Sequence, residues 1–331
     1  MSCDKVDSQY KTLFVKIGVV AALTGFVASA AACPIPVFQY ALENWAVDPY
    51  EVTIYYDEAF CDDSKAALEK LKAAEAGENA CSNLTLRVHD LSDNEDVQRP
   101  ADANLLPYME VRYPIYVRSR EPVWAGALTP EAVESLLHSP VREKLAELLL
   151  DRKTAVWILL EGDERAENNA AFRILQAELD RLEKTLVLPD TAEWEDQTVE
   201  IYNTVAFEVL RLRRDDPAEQ VLVQMLLRSE RDLIQLGEVP MAFPIYGRGL
   251  ILYALVDKGI NSWTIGDAGA FLAGPCSCQI KAGNPGLDVL MSVDWEANVD
   301  PLAAQRPPAP VGTGGFIRRL EEAEDELDDD D

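Results

Sequence analysis

The stretch Tyr113-Pro114-Ile115-Tyr116-Val117-Arg118 has a counterpart further along the chain, Phe243-Pro244-Ile245-Tyr246-Gly247-Arg248. Each copy places an aromatic residue before a proline, then an Ile-Tyr pair, a spacer and an arginine. Each is followed by an apolar run, residues 122–126 or 250–256, and then by a helical pattern. A repeated order of elements predicts a tandem repeat of one α/β unit.

The residues around the first copy predict the rest of its unit. After a short amphipathic helix at residues 37–45, the run EVTIYY at 51–56 predicts a strand, residues 64–76 a helix and residues 84–88 a second strand. After the motif and the Trp124 strand, Thr129-Pro130 predicts a helix start, with threonine as the N-cap and proline at the first helical position. The predicted order is β-α-β, a linking segment, then β-β-α.

The second unit repeats this order. The run AVWILL at residues 155–160 predicts a central strand covered on both faces. Leucines at three- and four-residue spacing predict a long helix over 167–186, and strand and helix patterns follow at 205–212 and 217–228. The motif strand, the 250–256 run and a helix over 263–273 complete the unit.

This order, with a proline opening the third strand, resembles the thioredoxin fold. That family holds such a proline in the cis form beside its redox site, which makes Pro114 and Pro244 the candidate cis-prolines. The predicted fold is therefore α/β, with two thioredoxin-like units in tandem, each a mixed sheet flanked by helices, after an N-terminal export signal.

The N-terminus has the features of an export signal. Lys5, Lys11 and Lys16 precede an uncharged run at residues 17–32, which ends in small residues directly before Cys33. That junction resembles the lipobox of bacterial lipoproteins, which implies acylation at Cys33, although the family prefers Leu or Val where Ala30 stands. A soluble periplasmic product and an uncleaved membrane anchor are the alternatives.

The sequence also sets domain limits. We predict a signal peptide at 1–32, thioredoxin-like units at 33–152 and 153–299, and a Pro/Gly-rich linker with an acidic tail at 300–331. The stretch from Cys33 to Trp45 (CPIPVFQYALENW) resembles the start of uncharacterised bacterial exported proteins, a resemblance that implies no activity.

The net charge of the chain makes some classes of partner unexpected. The net charge is −28, and the last eleven residues hold nine acids. Such a surface repels phosphate backbones, so nucleic acid is not expected as a partner. The two histidines, His89 and His138, are far apart in sequence, and we predict no metal site built on histidines and no cofactor.

Cys61 is the first candidate for chemistry, because thioredoxins place their nucleophile where the first strand meets the first helix. Ser64 stands where that family has its second cysteine. Four acids near the thiol (Asp57, Glu58, Asp62 and Asp63) are expected to raise its pKa, with Lys65 as the single counterweight. We therefore predict a structural Cys61 and no catalytic residue.

The other cysteines give two further candidates. Cys61 and Cys81 flank the first helix and are a candidate disulfide in an oxidising compartment. Cys276 and Cys278 form a C-x-C pair, a candidate redox or metal site, although two thiolates supply only half of a tetrahedral zinc site.

These observations predict a non-catalytic, envelope-located protein that binds or scaffolds another protein, with a membrane complex as the possible partner. Its location would be the periplasm or the periplasmic face of a membrane. The alternatives are thiol-disulfide exchange through Cys61 or the Cys276/Cys278 pair, and metal carriage at Cys276 and Cys278. The sheet edges and the loops beside Pro114 and Pro244 are the expected partner surfaces.

Overall fold

The structure is a computed structural model that describes residues 35–76, 81–92, 103–117, 119, 121–189, 204–276, 281–283 and 286–299. The predicted export signal, Cys33, Cys278, and the predicted linker and tail from residue 300 lie outside these residues.

The first half of the chain builds a mixed four-stranded sheet flanked by helices. Its elements are α1 (Val37–Asn44), β1 (Tyr50–Tyr56), α2 (Asp62–Ala76), β2 (Leu84–Asp90), β3 (Tyr108–Arg112), β4 (Trp124–Ala127), α3 (Pro130–Leu137) and α4 (Pro140–Leu150). The strand order is β2-β1-β3-β4. β1 runs parallel to β2 and antiparallel to β3, and β3 is antiparallel to β4.

The second half builds another mixed sheet flanked by helices. Its elements are β5 (Ala155–Leu160), α5 (Arg165–Thr185), β6 (Phe207–Leu212), α6 (Gln220–Leu227), β7 (Met241–Tyr246), β8 (Leu250–Ile251), β9 (Leu255–Val256), α7 (Ser262–Ala273), β10 (Leu287–Asp288) and α8 (Trp295–Asn298). The order is β10-β8-β7-β5-β6, and β9 also pairs with β7. β5 runs parallel to β6 and antiparallel to β7, and β7 is antiparallel to β8. The first four strands of both sheets therefore share one order and one set of directions.

In each sheet the third strand begins directly after a proline. The carbonyl of that proline accepts a similar hydrogen bond in both sheets. The amide of Leu128, which follows β4, donates to the carbonyl of Pro107 at 2.8 Å. The amide of Asp257, which follows β9, donates to the carbonyl of Pro240 at 2.9 Å. Pro107 and Pro240 therefore occupy equivalent places in the two sheets.

The two copies of the aromatic-Pro-Ile-Tyr motif do not lie at equivalent places in the two sheets. Its first copy follows β3 and forms a turn, in which the amide of Val117 donates to the carbonyl of Pro114 at 2.8 Å. Its second copy lies inside β7, where Pro244 stands opposite Trp157 of β5. The two copies lie at different positions relative to their third strands. The alignment of the two units that the motif predicts was therefore wrong.

Short sequence patterns explain where two of the helices begin and why one strand is buried. The Thr129 hydroxyl accepts a hydrogen bond from the amide of Ala132 and caps α3, as its sequence predicts. The Ser139 hydroxyl accepts from the Arg142 amide in the same way and caps α4, so α3 and α4 are separate helices. β5 is buried along its whole length, which confirms the sequence prediction.

The two sheets contribute to one hydrophobic core. Val52 and Ile54 of β1 belong to the same buried cluster as Val156 and Ile158 of β5 and Phe243 of β7. Burial of this apolar surface is the main stabilising contribution expected for the fold.

The predicted boundary between residues 152 and 153 does not separate the contacts of the two halves. The first and the last described segments of the chain each pack against the other half. α1 packs against α7 and β7, and the Val37 amide donates to the carbonyl of Gly274 at 3.0 Å. The segment that follows β10 returns to the first sheet, where the side chain of Asn83 bonds the Val289 carbonyl and the Met291 amide. Residues 33–152 and 153–299 are therefore interlocked through these contacts.

Among the described residues, no helix combines the length and the apolar character needed to cross a membrane.

Candidate functional site

Cys61 lies in the loop between β1 and α2, and its thiol is exposed. Its backbone carbonyl accepts from the amide of Lys65 at 2.9 Å, which sets the cysteine at the N-terminus of α2. Its Sγ is 3.2 Å from the Oγ of Ser64. The free N–H groups of a helix N-terminus favour a negative charge at this place.

Hydrogen bonds from Ser64 and from the backbone amides at the start of α2 lower the pKa of the Cys61 thiol from its ordinary value. The Ser64 hydroxyl is the largest cause, followed by the Ser64 amide, while the Asp63 carboxylate acts in the opposite direction. The predicted net rise in this pKa was therefore wrong, although Asp63 does act in the predicted direction. Asp62 and Asp63 are exposed to water, which weakens their repulsion of a thiolate, whereas the hydrogen bonds act at contact distance.

Ser64 connects the thiol to the rest of the sheet edge. Its buried Oγ lies 3.4 Å from the carbonyl oxygen of Leu128, a second acceptor for its single hydroxyl proton, and the Leu128 amide bonds Pro107. Cys61, Ser64, Leu128 and Pro107 therefore lie at one edge of the first sheet. Cys61 is therefore a single thiol whose hydrogen-bond partner, Ser64, is held in place by the fold.

The cis peptide bond precedes Pro107, not either predicted proline. The Leu106–Pro107 bond is cis, and the bonds before Pro114 and Pro244 are not. Pro114 lies in a turn and Pro244 within a strand, so neither opens a third strand as the prediction required. The sequence did contain the correct signal, since a proline directly precedes each third strand.

The candidate disulfide between Cys61 and Cys81 is not formed, and both residues carry free thiols. β1 and β2 are parallel, so α2 must run back along the sheet between them. Cys61 precedes α2 and Cys81 follows it. A helix of 15 residues is about 22 Å long, whereas a disulfide needs Cα atoms within about 7 Å. Burial, with a smaller contribution from Asp294, raises the pKa of Cys81.

Cys276 is buried and lies next to the start of the described chain. Its amide donates to the carbonyl of Ile35 at 2.9 Å. Its predicted partner, Cys278, lies outside the described residues, so the C-x-C pair stays a prediction. Within the described ranges, no group of three or more His, Cys, Asp or Glu side chains could hold a metal ion.

The second sheet has no thiol at the place that corresponds to Cys61. The loop after β5 contains Gly162, whose amide and carbonyl both bond the side chain of Asn168 at 2.8 Å. A hydrogen bond between Glu238 and Asp163 is the main reason why the pKa of Glu238 is raised. This loop therefore carries carboxyl groups where the loop between β1 and α2 carries the Cys61 thiol.

The surface beside Pro114 is apolar and exposed. Ile115 is fully exposed, and the neighbouring ring of Tyr116 is half-exposed. Tyr116 has a raised pKa, first because of desolvation and then because of Asp288 and Asp48. The turn between β3 and β4 therefore presents the side chain of Ile115 to solvent, whereas the ring of Tyr116 lies against Asp48 and Asp288.

A buried polar cluster that the sequence did not predict lies where the two sheets meet. The buried carboxylate of Asp288 accepts from the Asp48 amide at 2.7 Å, and it is paired with Lys281. The Lys281 ammonium also lies 2.7 Å from the Asp48 carboxylate, and the Tyr50 hydroxyl donates to the Asp288 carbonyl at 2.6 Å. Burial is the largest cause that raises the pKa of Asp288 to about 6.

One sequence signal could have indicated this cluster. Asp288 is the single charged residue in the run Leu287-Asp288-Val289-Leu290-Met291. A lone acid in an apolar run is either exposed by a turn or buried with partners. Choosing between the two requires the fold, because its partner Asp48 is 240 residues away.

Compared with known proteins, the chain matches no protein-family model and no curated protein sequence.

Proposed function

We propose that this chain is a non-catalytic protein of the bacterial cell envelope that binds another protein, as a scaffold or an accessory to a membrane complex. It is exported by its N-terminal segment and tethered through Cys33. Its two sheets are thioredoxin-like units in tandem. The shared strand order and the recurring contacts of Pro107 and Pro240 support the tandem relationship.

The residues around Cys61 support the proposal that the chain does not catalyse disulfide exchange. Dithiol exchange needs a second thiol within reach of the first, because the second thiol releases the bound partner. Ser64 contacts Cys61 instead, and Cys81 lies beyond the far end of α2. The second sheet has Gly162 and Asp163 in the corresponding loop. Neither unit therefore has a described dithiol at this edge.

The fully exposed side chain of Ile115 carries the proposal that the chain binds protein. It projects from the turn beside Pro114, where the Pro114 carbonyl accepts from the Val117 amide. A fixed turn can present an aliphatic side chain with little loss of conformational entropy on binding. A pocket in a partner protein would cover this side chain.

The test isolates the tethered chain from detergent-solubilised membranes and identifies the proteins that accompany it. An Ile115→Asp variant should lose its principal companion, since a charge cannot enter an apolar pocket. Ile234→Asp is the matched control, because Ile234 is half-exposed elsewhere on the surface. Equal recovery with both variants would refute the assignment of this surface, and the absence of any companion of the wild type would refute the function.

A second candidate function is disulfide exchange by a single thiol, which the lowered pKa and the exposure of Cys61 favour. The Cys61 thiolate would attack a disulfide of a partner protein, form a mixed disulfide and release the partner's other sulfur as a thiolate, which takes a proton from water. A low-molecular-weight thiol from outside the chain would then resolve the mixed disulfide.

The two candidates differ in whether sulfur is needed. A Cys61→Ser variant that still recovers the companion protein supports binding without exchange. If the companion is attached by a bond that dithiothreitol cleaves, and is lost in Cys61→Ser, exchange at Cys61 is the function.

A further inference from the structure

The outer side of α7 carries an acid between two aromatic side chains. Trp263, Asp267 and Phe271 are spaced four residues apart, so they lie in one row along the helix, about 6 Å from one to the next. Trp263 is 75% exposed, Phe271 is 39% exposed, and Asp267 is exposed as well. The opposite side of α7 is buried through Ile265 and Leu272. The row therefore faces solvent and is not part of the core of the fold.

The carboxylate at the centre of this row has no cation paired with it in the described part of the chain. Among the residues that the structure describes, none forms an ion pair with Asp267. Arg181 of α5 does approach α7, since a Cβ on Gly266 would lie 3.9 Å from its Nη2. Its guanidinium binds the Glu178 carboxylate instead, with 3.0 Å between Nε and Oε1. The carboxylate of Asp267 is therefore available to a cation from another molecule.

A third aromatic ring lies near the same carboxylate. Burial raises the pKa of the Tyr253 hydroxyl, and the nearby carboxylate of Asp267 raises it further. The remaining exposed residues of α7, Ser262 and Ala270, have small side chains, which leave the aromatic rings accessible. An acid flanked by accessible rings differs from an apolar surface, because it combines a negative charge with aromatic faces.

We propose that Trp263, Asp267 and Phe271 bind an arginine side chain of a partner protein. The face of an aromatic ring attracts a cation that lies within about 6 Å of its centre, and tryptophan does so most strongly. A guanidinium is planar, so it can stack on a ring while it donates two hydrogen bonds to a carboxylate. The row on α7 offers both contacts to a single arginine.

The charges of the molecule favour this kind of partner over others. The net charge of −28 attracts basic segments, whereas an apolar or anionic partner would cover Asp267 without supplying a counterion. An exposed ion pair alone contributes little, so the rings are needed to select arginine over the more strongly hydrated ammonium of lysine. This surface belongs to the second sheet's helices, and it is separate from the Ile115 turn of the first sheet.

The test uses the intact chain in detergent micelles and follows the indole N–H signals of its isotope-labelled tryptophans by NMR. The Trp263 signal is the one that disappears in Trp263→Phe. The probe is the peptide acetyl-Gly-Arg-Gly-amide, and two matched peptides carry lysine or the uncharged citrulline in place of arginine. We expect the arginine peptide to shift the Trp263 signal to saturation, the lysine peptide to bind more weakly and the citrulline peptide to have no effect.

Variants separate the row from the general attraction of an acidic surface. Asp267→Asn should weaken binding of the arginine peptide at least about threefold, because the ion pair is lost. Asp232→Asn removes the same charge from another exposed position and should weaken it less than about twofold. Ile115→Asp should leave it unchanged, so this inference and the proposed function can fail independently. The remaining tryptophan signals show whether each variant keeps its fold.

Three results would overturn the inference. The first is a Trp263 signal that the arginine peptide does not shift to saturation. The second is an equal response to the lysine or the citrulline peptide, which would remove the assignment to arginine. The third is equal weakening by Asp267→Asn and Asp232→Asn, which would mean that the peptide responds only to the net charge of the chain.

Discussion

The guanidinium of Arg248, in the turn after β7, donates through Nε to the carbonyl of Leu42 in the last turn of α1 at 2.8 Å. The same group reaches the Glu43 carbonyl at 3.3 Å and the Glu296 carboxylate at 2.5 Å. Helix C-termini leave carbonyls without intrahelical partners, and a cation there also complements the helix dipole. Arg248 therefore attaches the N-terminal helix to the second sheet.

Replacing Arg248 should weaken that attachment. Arg248→Met keeps much of the side-chain volume and removes the hydrogen bonds, so the free energy of unfolding should fall by about 1.5–3 kcal/mol. Urea denaturation followed by circular dichroism measures the change. Arg87→Met is the control, because Arg87 forms an exposed pair with Glu51 and its loss should cost less than about 1 kcal/mol. Equal losses in both variants would contradict the role of Arg248.

Gly247 should tolerate no side chain. Its φ is +58°, and a Cβ there would lie 2.7 Å from the Cβ of Ala41 in α1. Gly247→Ala therefore combines backbone strain with a clash, and we expect a loss of about 1–3 kcal/mol in the free energy of unfolding. Gly259→Ala is the matched control, because a Cβ there would meet nothing within 4 Å. A Gly247→Ala protein as stable as the control would contradict the close packing of α1.

Cys61 should be the fastest-reacting of the described cysteines. Its pKa is lowered by the Ser64 hydroxyl and by backbone amides, while burial raises the pKa of Cys81. More Cys61 than Cys81 is therefore thiolate at pH 7, and only the thiolate reacts with iodoacetamide. Mass spectrometry of timed alkylation measures both rates.

The Ser64→Ala variant tests the cause of that reactivity. Removal of the hydroxyl should raise the pKa of Cys61, so the midpoint of its alkylation rate against pH should move upward. The rate at Cys81 serves as the internal reference. An unchanged midpoint would mean that Ser64 does not stabilise the thiolate.

Asp288 should make stability depend on pH. Its folded-state pKa, about 6, is above the ordinary value of 3.8, so the folded state binds the proton more tightly than the unfolded state. The stabilisation is therefore fully present at low pH and is lost as pH rises from about 4 through 6. A shift of roughly two pKa units corresponds to about 3 kcal/mol.

The Asp288→Asn variant removes this titrating group and keeps the size of the side chain. The free energy of unfolding of the wild type, relative to the variant, should increase as pH is lowered from 7 to 4. The exposed Asp267→Asn change controls for the loss of one negative charge. Stability curves of wild type and Asp288→Asn that run parallel over this pH range would show that Asp288 is not a titrating buried group.

The sequence predicted the elements with strong local signals. The buried run of β5, the Thr129 cap of α3 and the leucine spacing of α5 all lie where their patterns indicate. The register of the repeat was not predictable from the Tyr-Pro and Phe-Pro motifs, because strand pairing and not residue order decides which proline opens a strand. Pro107 and Pro240 are identified by hydrogen bonds to Leu128 and Asp257, which are distant in sequence.

The candidate site was predictable only in part. The position of Cys61 between a strand and a helix followed from the pattern, but the direction of its pKa shift did not. Counting the charges of Asp62 and Asp63 ignores their exposure to water and the direction of the helix amides. The cluster of Asp48, Lys281 and Asp288 joins distant segments. The lone acid in the run 287–291 is a local signal, but it does not identify the partners of Asp288.

The proposed function requires that the tethered chain binds a protein through the turn that carries Ile115. The most direct measurement places a photoreactive amino acid at position 115, and in a second strain at position 234, and irradiates living cells. The proposal predicts one defined crosslinked protein from position 115 and none from position 234. Irradiation that gives no adduct at position 115, or the same set of adducts at both positions, would contradict it.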